Sequence, residues 1–133
     1  MRVMLDTNIL ISAIVFQSKL LKGMIHLIAD KYALVLCSYV IEELHEVIDD
    51  KFGSKKGDVE RFLLELPFEF IYTPKVVSSQ EMVAMRDKND EKVLYSAMLA
   101  DVDVLVTGDK DFCEVKIDRP EILTPSDFIN KYK

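Results

Sequence analysis

Residues 87–112 read DKNDEKVLYSAMLADVDVLVTGDKDF and combine a helical pattern with a buried-strand pattern. The first half of this stretch carries apolar residues at helical spacing, which predicts a helix over residues 90–100. The apolar run at residues 102–106 follows directly and has the length of a strand buried on both faces. A helix that leads straight into a buried strand is typical of the alternating α and β elements from which parallel sheets are built.

The same alternation extends over the rest of the chain. The predicted strands are residues 2–5, 32–37, 68–72, 102–106 and 121–123. The predicted helices are residues 8–16, 19–31, 40–51, 58–66, 90–100 and 127–131. Ser38 is expected to be an N-cap, residues 51–57 a polar loop, and residues 81–85 are ambiguous. We therefore predict an α/β fold, a three-layer α/β/α sandwich with a central parallel sheet of about five strands.

The size and cysteine content indicate one domain over residues 1–133 that folds without disulfides. Two cysteines, Cys37 and Cys113, cannot form a disulfide scaffold, and neither belongs to a CxxC or Cys/His cluster. The apolar N-terminus contains Asp6 and no small-residue cleavage site, which argues against a signal peptide or a membrane span. We expect a cytoplasmic protein with both thiols reduced.

The charge balance of the chain does not favour a broad basic surface. There are 17 Lys and Arg against 23 Asp and Glu, a net charge of −6. Proteins that bind nucleic acid through such a surface are usually basic. Metal ions held by carboxylates offer another route to nucleic acid, because the ions bring their own positive charge.

Several acidic residues lie close to the edge of the predicted sheet at which the carboxyl ends of its strands meet. Asp6 comes directly after the first strand, and Asp109 comes just after the fourth. Asp90 opens the helix that leads into the fourth strand, and Glu42 and Glu43 lie in the first turns of the helix after the second. Ligands of open α/β sheets bind beyond the carboxyl ends of the strands. The sequence therefore predicts a cluster of acids at this edge.

Clustered carboxylates repel one another unless a positive charge lies among them. Mg²⁺ takes oxygen ligands and is commonly held by one or two carboxylates with waters and phosphate. Each acid alone has a plainer explanation: Asp6 as a helix cap, Asp109 as a turn residue, Asp90 as a favourable charge at a helix start, and Glu42 and Glu43 as a solvated face. The combination of acids supports a metal site.

Four segments resemble the PIN domain in order and spacing. They are DTNILIS at residues 6–12, EEL at 42–44, the stretch 87–112 and ILTPSDFI at 122–129. The likeness is strongest to small single-domain PIN proteins that are toxins of toxin–antitoxin pairs, related to VapC. Asp6 followed by Thr7 and Asn8, together with the sequence VTGD, is a specific combination, whereas DTN alone is not.

The resemblance implies roles for particular residues. It implies four catalytic acids, which are Asp6, Glu43, Asp90 and Asp109. It implies that Mg²⁺ or Mn²⁺ is held by Asp6, Asp90 and Asp109. It implies supporting roles for Thr7 and Asn8 beside Asp6, for Thr107 in holding Asp109 or a metal-bound water, and for Asp111. Asp87 is the outer acid of the Asp-x-x-Asp pattern, and Glu42 is adjacent to Glu43 and easily mistaken for it.

The resemblance also implies a function, a metal-dependent endoribonuclease that cuts single-stranded RNA and serves as the toxin of a toxin–antitoxin pair. A small antitoxin protein and a homodimer are the implied partners. Three alternatives stay open on the sequence: a housekeeping RNA-processing nuclease, a non-catalytic PIN module that binds RNA or protein, and a phosphatase-like or receiver-like domain. The last of these fits DTN and TGD less well.

Overall fold

The computed structural model describes residues 1–74 and 88–133 and contains one five-stranded parallel sheet. The strands are β1 (Arg2–Leu5), β2 (Ala33–Cys37), β3 (Glu69–Ile71), β4 (Val104–Val106) and β5 (Glu121–Leu123). The helices are α1 (Thr7–Ile14), α2 (Lys19–Lys31), α3 (Ser38–Lys51), α4 (Lys56–Glu65), α5 (Lys88–Leu99), α6 (Lys110–Cys113) and α7 (Pro125–Tyr132), with a 3-10 turn at Gly53–Lys55.

The order of the strands creates a switch point in the middle of the sheet. The order is β3-β2-β1-β4-β5, so β1 lies between β2 and β4. Met4 is in register with Val35 of β2 and with Leu105 of β4. The chain moves outward from β1 through β2 to β3, then crosses the sheet to β4 and moves outward in the other direction to β5. Because parallel crossovers are right-handed, this reversal places the connecting helices on both faces of the sheet.

The core is formed by the central strands and the helix faces that cover them. β1 and β4 are buried almost throughout, which explains their continuous aliphatic sequences. Phe112 of α6 and Phe128 of α7 are both fully buried. Burial of Phe112 anchors the short helix α6, which contains Asp111 and is capped by Asp109.

The α/β/α fold with a parallel sheet is confirmed, and the helix and strand predictions differ from the structure mainly at their ends. β1, β5 and α2 have the predicted bounds. The third strand is shorter than predicted because it lies at the edge of the sheet, where Glu69 and Phe70 are exposed. Residues 81–85 and Asp87 lie outside the described residues.

Two local predictions were wrong. Ser38 is the first residue of α3 and not its N-cap; Cys37 occupies the cap position, and the Ser38 hydroxyl instead accepts a hydrogen bond from Thr73 N at 2.8 Å. Residues 51–57 are not a loop, because the 3-10 turn and the start of α4 occupy most of them. Ion pairs Lys55–Asp58 at 3.8 Å and Lys56–Asp49 at 3.9 Å accompany this helical segment.

Among the described residues, no single helix is long and apolar enough to cross a membrane. Only α1 and α2 taken together, with a bend of 118° between them, reach the required length and apolarity.

Candidate active site

The candidate site lies at the switch point, where β1 and β4 end side by side. Asp6 directly follows β1, and Asp109 follows β4 after Thr107 and Gly108. The backbone N–H of Asp6 donates to Val106 O at 3.3 Å, which fixes the two strand ends against each other. This is the position at which open parallel sheets bind their ligands.

Asp6 is a buried acid that also caps a helix. It is 6% exposed, and its Oδ1 accepts a hydrogen bond from Ile9 N of α1 at 3.2 Å. Burial raises the pKa of the Asp6 carboxyl above its usual range, the hydrogen bonds from Thr107 and Ile9 lower it, and the negative charges of Asp109 and Glu43 raise it again. The capping and catalytic explanations of Asp6 are therefore compatible, since one carboxylate has two oxygens.

Thr107 connects the two acids that follow the central strands. Its buried hydroxyl donates to Asp6 Oδ2 and accepts from Asp109 N at 3.0 Å. The Asp109 carboxylate in turn caps α6, because its Oδ1 accepts from Asp111 N at 2.9 Å. The contact between Thr107 and Asp109 is made through the Asp109 backbone N–H, and a supporting role of Thr107 in the site stays a prediction.

Three acids form a group that could hold a metal ion. One carboxylate oxygen from each of Asp90, Asp109 and Asp111 lies within 4.8 Å of the other two, and all three residues are partly buried. Asp90 comes from the first turn of α5, so the group joins α5 to the turn after β4. The sequence predicted Asp6, Asp90 and Asp109 as ligands with Asp111 as support; the structure groups Asp111 with Asp90 and Asp109, and places Asp6 one hydrogen-bonded step away, through Thr107.

Glu43 reaches this region from α3. It is partly buried, and its charge contributes to the raised pKa of Asp6, whereas Glu42 is exposed. The Tyr39 hydroxyl donates to Glu43 Oε2 at 3.1 Å. Of the two adjacent glutamates, Glu43 is therefore the one that faces the acids.

Thr7 and Asn8, the two residues that follow Asp6, differ in their exposure to solvent. Thr7 is 3% exposed, and within the described part of the chain its Oγ1 has no hydrogen-bond partner. Asn8 is exposed. The hydrogen bonds that orient Asp6 come from Ile9 and Thr107 instead, so support of Asp6 by Thr7 and Asn8 stays a prediction.

The donors of the site suit a hard divalent cation. The grouped oxygens all belong to carboxylates, and Mg²⁺ and Mn²⁺ prefer oxygen ligands. The buried Thr7 hydroxyl beside Asp6 is a polar atom with unused hydrogen-bonding capacity. A cavity of about 340 Å³ between α2 and α4, which includes His26 and Phe62, contains none of these acids.

The sequence analysis missed a polar network that supports Glu43. Thr73 Oγ1 accepts from Tyr39 N at 3.1 Å and lies 3.0 Å from Ser96 Oγ. The Lys92 ammonium lies 5.1 Å from the centroid of the Tyr39 ring. Tyr39 precedes Glu43 by one helical turn, and this i, i+4 spacing was the available signal.

Comparison with known proteins finds one matching family model and similarity to a solved structure. A family model described as a PIN domain matches residues 2–111. No curated protein sequence matches the chain significantly. A chain in the crystal structure of VapBC2 from Rickettsia felis, bound to a DNA fragment from their promoter, has a similar fold, with a TM-score of 0.70 and 20% identity over 92% of this chain and 97% of that one. At this identity the likeness concerns the fold.

Proposed function

Because this chain belongs to the PIN domain family, whose members are generally nucleases, we propose that it is a metal-dependent endoribonuclease. Its proposed substrate is single-stranded RNA, and the proposed reaction is hydrolysis of a phosphodiester bond. Residues 1–133 are proposed to act as one nuclease domain. The proposed ligands are Asp6, Asp90 and Asp109 for Mg²⁺ or Mn²⁺, with Asp111 beside them.

One observation carries this proposal. Acids from three separate segments converge at the switch point of the sheet, where Asp90, Asp109 and Asp111 bring their oxygens within 4.8 Å of one another and Asp6 is buried beside them. Buried and crowded carboxylates are unfavourable in the charged form unless a cation or proton neutralises them. A divalent cation would neutralise them without a change of protonation.

The residues of the chain divide the work of the proposed reaction. A divalent cation bound by these acids supplies positive charge that stabilises the transition state and makes a water molecule easier to deprotonate. Glu43 accepts the proton of the water whose oxygen attacks phosphorus. The bond from phosphorus to the 3′ oxygen breaks, and that oxygen leaves with a proton from solvent. Thr107 keeps Asp6 and Asp109 in fixed positions throughout.

We further propose that the enzyme is the toxin of a toxin–antitoxin pair. This rests on the similarity of its fold to a chain of VapBC2. The partner would be a small antitoxin protein, the location the cytoplasm, and the assembly a homodimer. Co-expression with the product of the neighbouring reading frame, followed by co-purification, tests the partner; growth arrest that the neighbour relieves would support it.

Cleavage of a panel of single-stranded RNAs and DNAs tests the enzymatic proposal. The wild-type protein is compared in Mg²⁺, Mn²⁺ and EDTA with the Asp90→Asn/Asp109→Asn variant. A matched double variant, Asp50→Asn/Asp118→Asn, makes the same charge change at two exposed positions. Circular dichroism establishes that each variant is folded.

We expect RNA cleavage by the wild type and by the matched variant, and at least a hundredfold loss in EDTA and in the site variant. Cleavage that survives the site substitutions would place the activity elsewhere. Absence of cleavage together with absence of Mn²⁺ binding would contradict the proposal and favour a non-catalytic binding module.

A further inference from the structure

We propose that Tyr39 is a positioning residue that holds the Glu43 carboxylate towards the acids, and that Lys92 holds Tyr39 in place. The catalytic part of this inference rests on the proposed nuclease function, whereas the positioning part does not. No family model or similar structure assigns a role to either residue. The argument comes from four contacts. One lies within α3, two connect α3 to α5 through Thr73, and one joins Lys92 of α5 to the Tyr39 ring.

The first contact is between Tyr39 and Glu43. Both residues lie on α3 one turn apart, and the Tyr39 hydroxyl donates to Glu43 Oε2 at 3.1 Å. A glutamate side chain has several rotatable bonds and, at a partly exposed position, would otherwise sample many rotamers. The hydrogen bond selects the rotamers in which the carboxylate stays on the side of the helix that bears on Asp6.

The backbone of Tyr39 is itself anchored outside α3. Its N–H is one of the donors at the start of the helix that have no partner within the helix. It donates to Thr73 Oγ1 at 3.1 Å, and Ser96 Oγ of α5 lies 3.0 Å from the same hydroxyl. Tyr39 therefore keeps a fixed distance from α5, the helix that carries Asp90.

The ring of Tyr39 is held from the side of α5. The Lys92 ammonium lies 5.1 Å from the ring centroid, and Lys92 is exposed and two residues after Asp90. A cation at this distance from an aromatic ring is attracted to it.

A general base that is held in position accelerates a reaction more than a mobile one does. Displacement of a catalytic group by about 1 Å can reduce a rate by about a hundredfold. The expected consequence is that loss of the Tyr39 hydroxyl lowers kcat and leaves metal and RNA affinity unchanged. Loss of a merely structural contact would instead lower stability and all activities together.

The test uses Tyr39→Phe, which removes the hydroxyl and retains the ring under Lys92. Tyr72→Phe is the matched control, because Tyr72 is 80% exposed and outside the acid cluster. Lys92→Met removes the cation and keeps a long side chain. The first readout is NMR of the metal-free protein with ¹³C-labelled glutamate, where Glu42 serves as the exposed internal reference.

In the wild type we expect a large chemical-shift difference between the two γ-methylene protons of Glu43, because its rotamer is fixed. The difference for Glu42 should be small, because its exposed side chain samples many rotamers. Tyr39→Phe should reduce the shift difference of Glu43 to that of Glu42. Lys92→Met should reduce it in part, and Tyr72→Phe should leave it unchanged. The second readout is cleavage, where Tyr39→Phe should lower kcat by about 10- to 100-fold with KM and Mn²⁺ affinity within twofold of the wild type.

The outcomes separate the two proposals. Unchanged Glu43 signals in Tyr39→Phe would overturn the positioning role, and an unchanged kcat beside a reduced shift difference would overturn its catalytic consequence. A wild-type protein that cuts no RNA would contradict the proposed function, and with it the catalytic consequence, whereas the NMR comparison would still decide whether Tyr39 positions Glu43.

Discussion

The hydroxyl of Thr107 donates a hydrogen bond to Asp6 Oδ2 and so connects the ends of two neighbouring strands. Thr107 Oγ1 also accepts a hydrogen bond from Asp109 N at 3.0 Å. One buried hydroxyl therefore fixes two acids that come from opposite ends of the sequence. Because donor and acceptor are both used, neither a methyl group nor a carboxylate could replace it.

Thr107→Val should weaken both the fold and metal binding. Valine keeps the shape of the side chain but leaves the buried Asp6 Oδ2 and the part-buried Asp109 N without this partner. We expect a loss of about 1–3 kcal/mol in the free energy of unfolding, measured in urea. Since the Thr107 hydrogen bond lowers the pKa of Asp6, its loss should raise that pKa further and weaken Mn²⁺ binding at neutral pH.

Thr107→Ser is the control for this prediction. Serine retains the hydroxyl and loses only a buried methyl group, which costs roughly 1 kcal/mol. Both variants should therefore be less stable than the wild type, but only the valine variant should bind Mn²⁺ more weakly. Equal Mn²⁺ affinities in the two variants would show that the hydroxyl does not organise the acids.

Asp6→Asn should remove a pH dependence from the stability of the metal-free protein. Burial raises the pKa of Asp6 in the folded state, so the folded protein binds its proton more tightly than the unfolded chain does. The stability that this proton provides is full below the unfolded pKa of about 4 and is lost as the pH rises through the raised folded pKa. Asparagine carries no charge, and its one side-chain oxygen can still cap α1. Its NH₂ group cannot accept the Thr107 hydrogen bond, so the two proteins differ in stability even where Asp6 is protonated.

The measurement is the free energy of unfolding of both proteins in EDTA between pH 3.5 and 7.5. From pH 3.5 to pH 7.5 the stability of the asparagine variant should rise relative to that of the wild type by on the order of 1 kcal/mol per unit of pKa shift. Asp118→Asn, at an exposed position, should show no such trend. A constant difference between wild type and Asp6→Asn across this range would contradict the raised pKa.

The fold was predictable because its central strands are short apolar runs that lead directly into acids or helices. β1 and β4 could be predicted from their own residues, without reference to the rest of the chain. β3 was harder, because an edge strand is covered on fewer sides and its sequence mixes exposed and buried residues. Ser38 was assigned as a cap because local sequence favours it, whereas its hydroxyl bonds to Thr73, 35 residues away.

The candidate site was predictable in its acids and not in their grouping. Strand ends identify Asp6 and Asp109, and the resemblance to PIN domains separates Glu43 from Glu42. The sequence could not show that the turn after β4 brings Asp111 next to Asp90, because this depends on the capping of α6 by Asp109. Tyr39 was overlooked because its role depends on contacts with two other segments.

Asp111 should contribute to metal binding as much as Asp90 does. Its carboxylate lies in the same group, within 4.8 Å of oxygens of Asp90 and Asp109. Asp111→Asn should weaken Mn²⁺ binding about tenfold or more, as measured by electron paramagnetic resonance of the free ion, and Asp118→Asn should change it less than twofold. An affinity for Asp111→Asn equal to that of Asp118→Asn would restrict the ligands to Asp6, Asp90 and Asp109.

Thr73→Val should loosen the start of α3 without unfolding the protein. The Thr73 hydroxyl accepts from Tyr39 N at 3.1 Å and lies 3.0 Å from Ser96 Oγ, whereas its backbone N–H donates to Ser38 Oγ and is unaffected by the substitution. The substitution removes the Thr73 hydroxyl that accepts from the Tyr39 amide, which should cost about 1–2 kcal/mol of stability. Hydrogen exchange by NMR should then show at least tenfold faster exchange at the Tyr39 amide, while the amide of Leu44, further along α3, changes only as much as global stability requires.

Thr73→Ser keeps the hydroxyl and should retain protection at Tyr39. Equal exchange rates at this amide in the valine and serine variants would mean that Thr73 does not hold α3 in place.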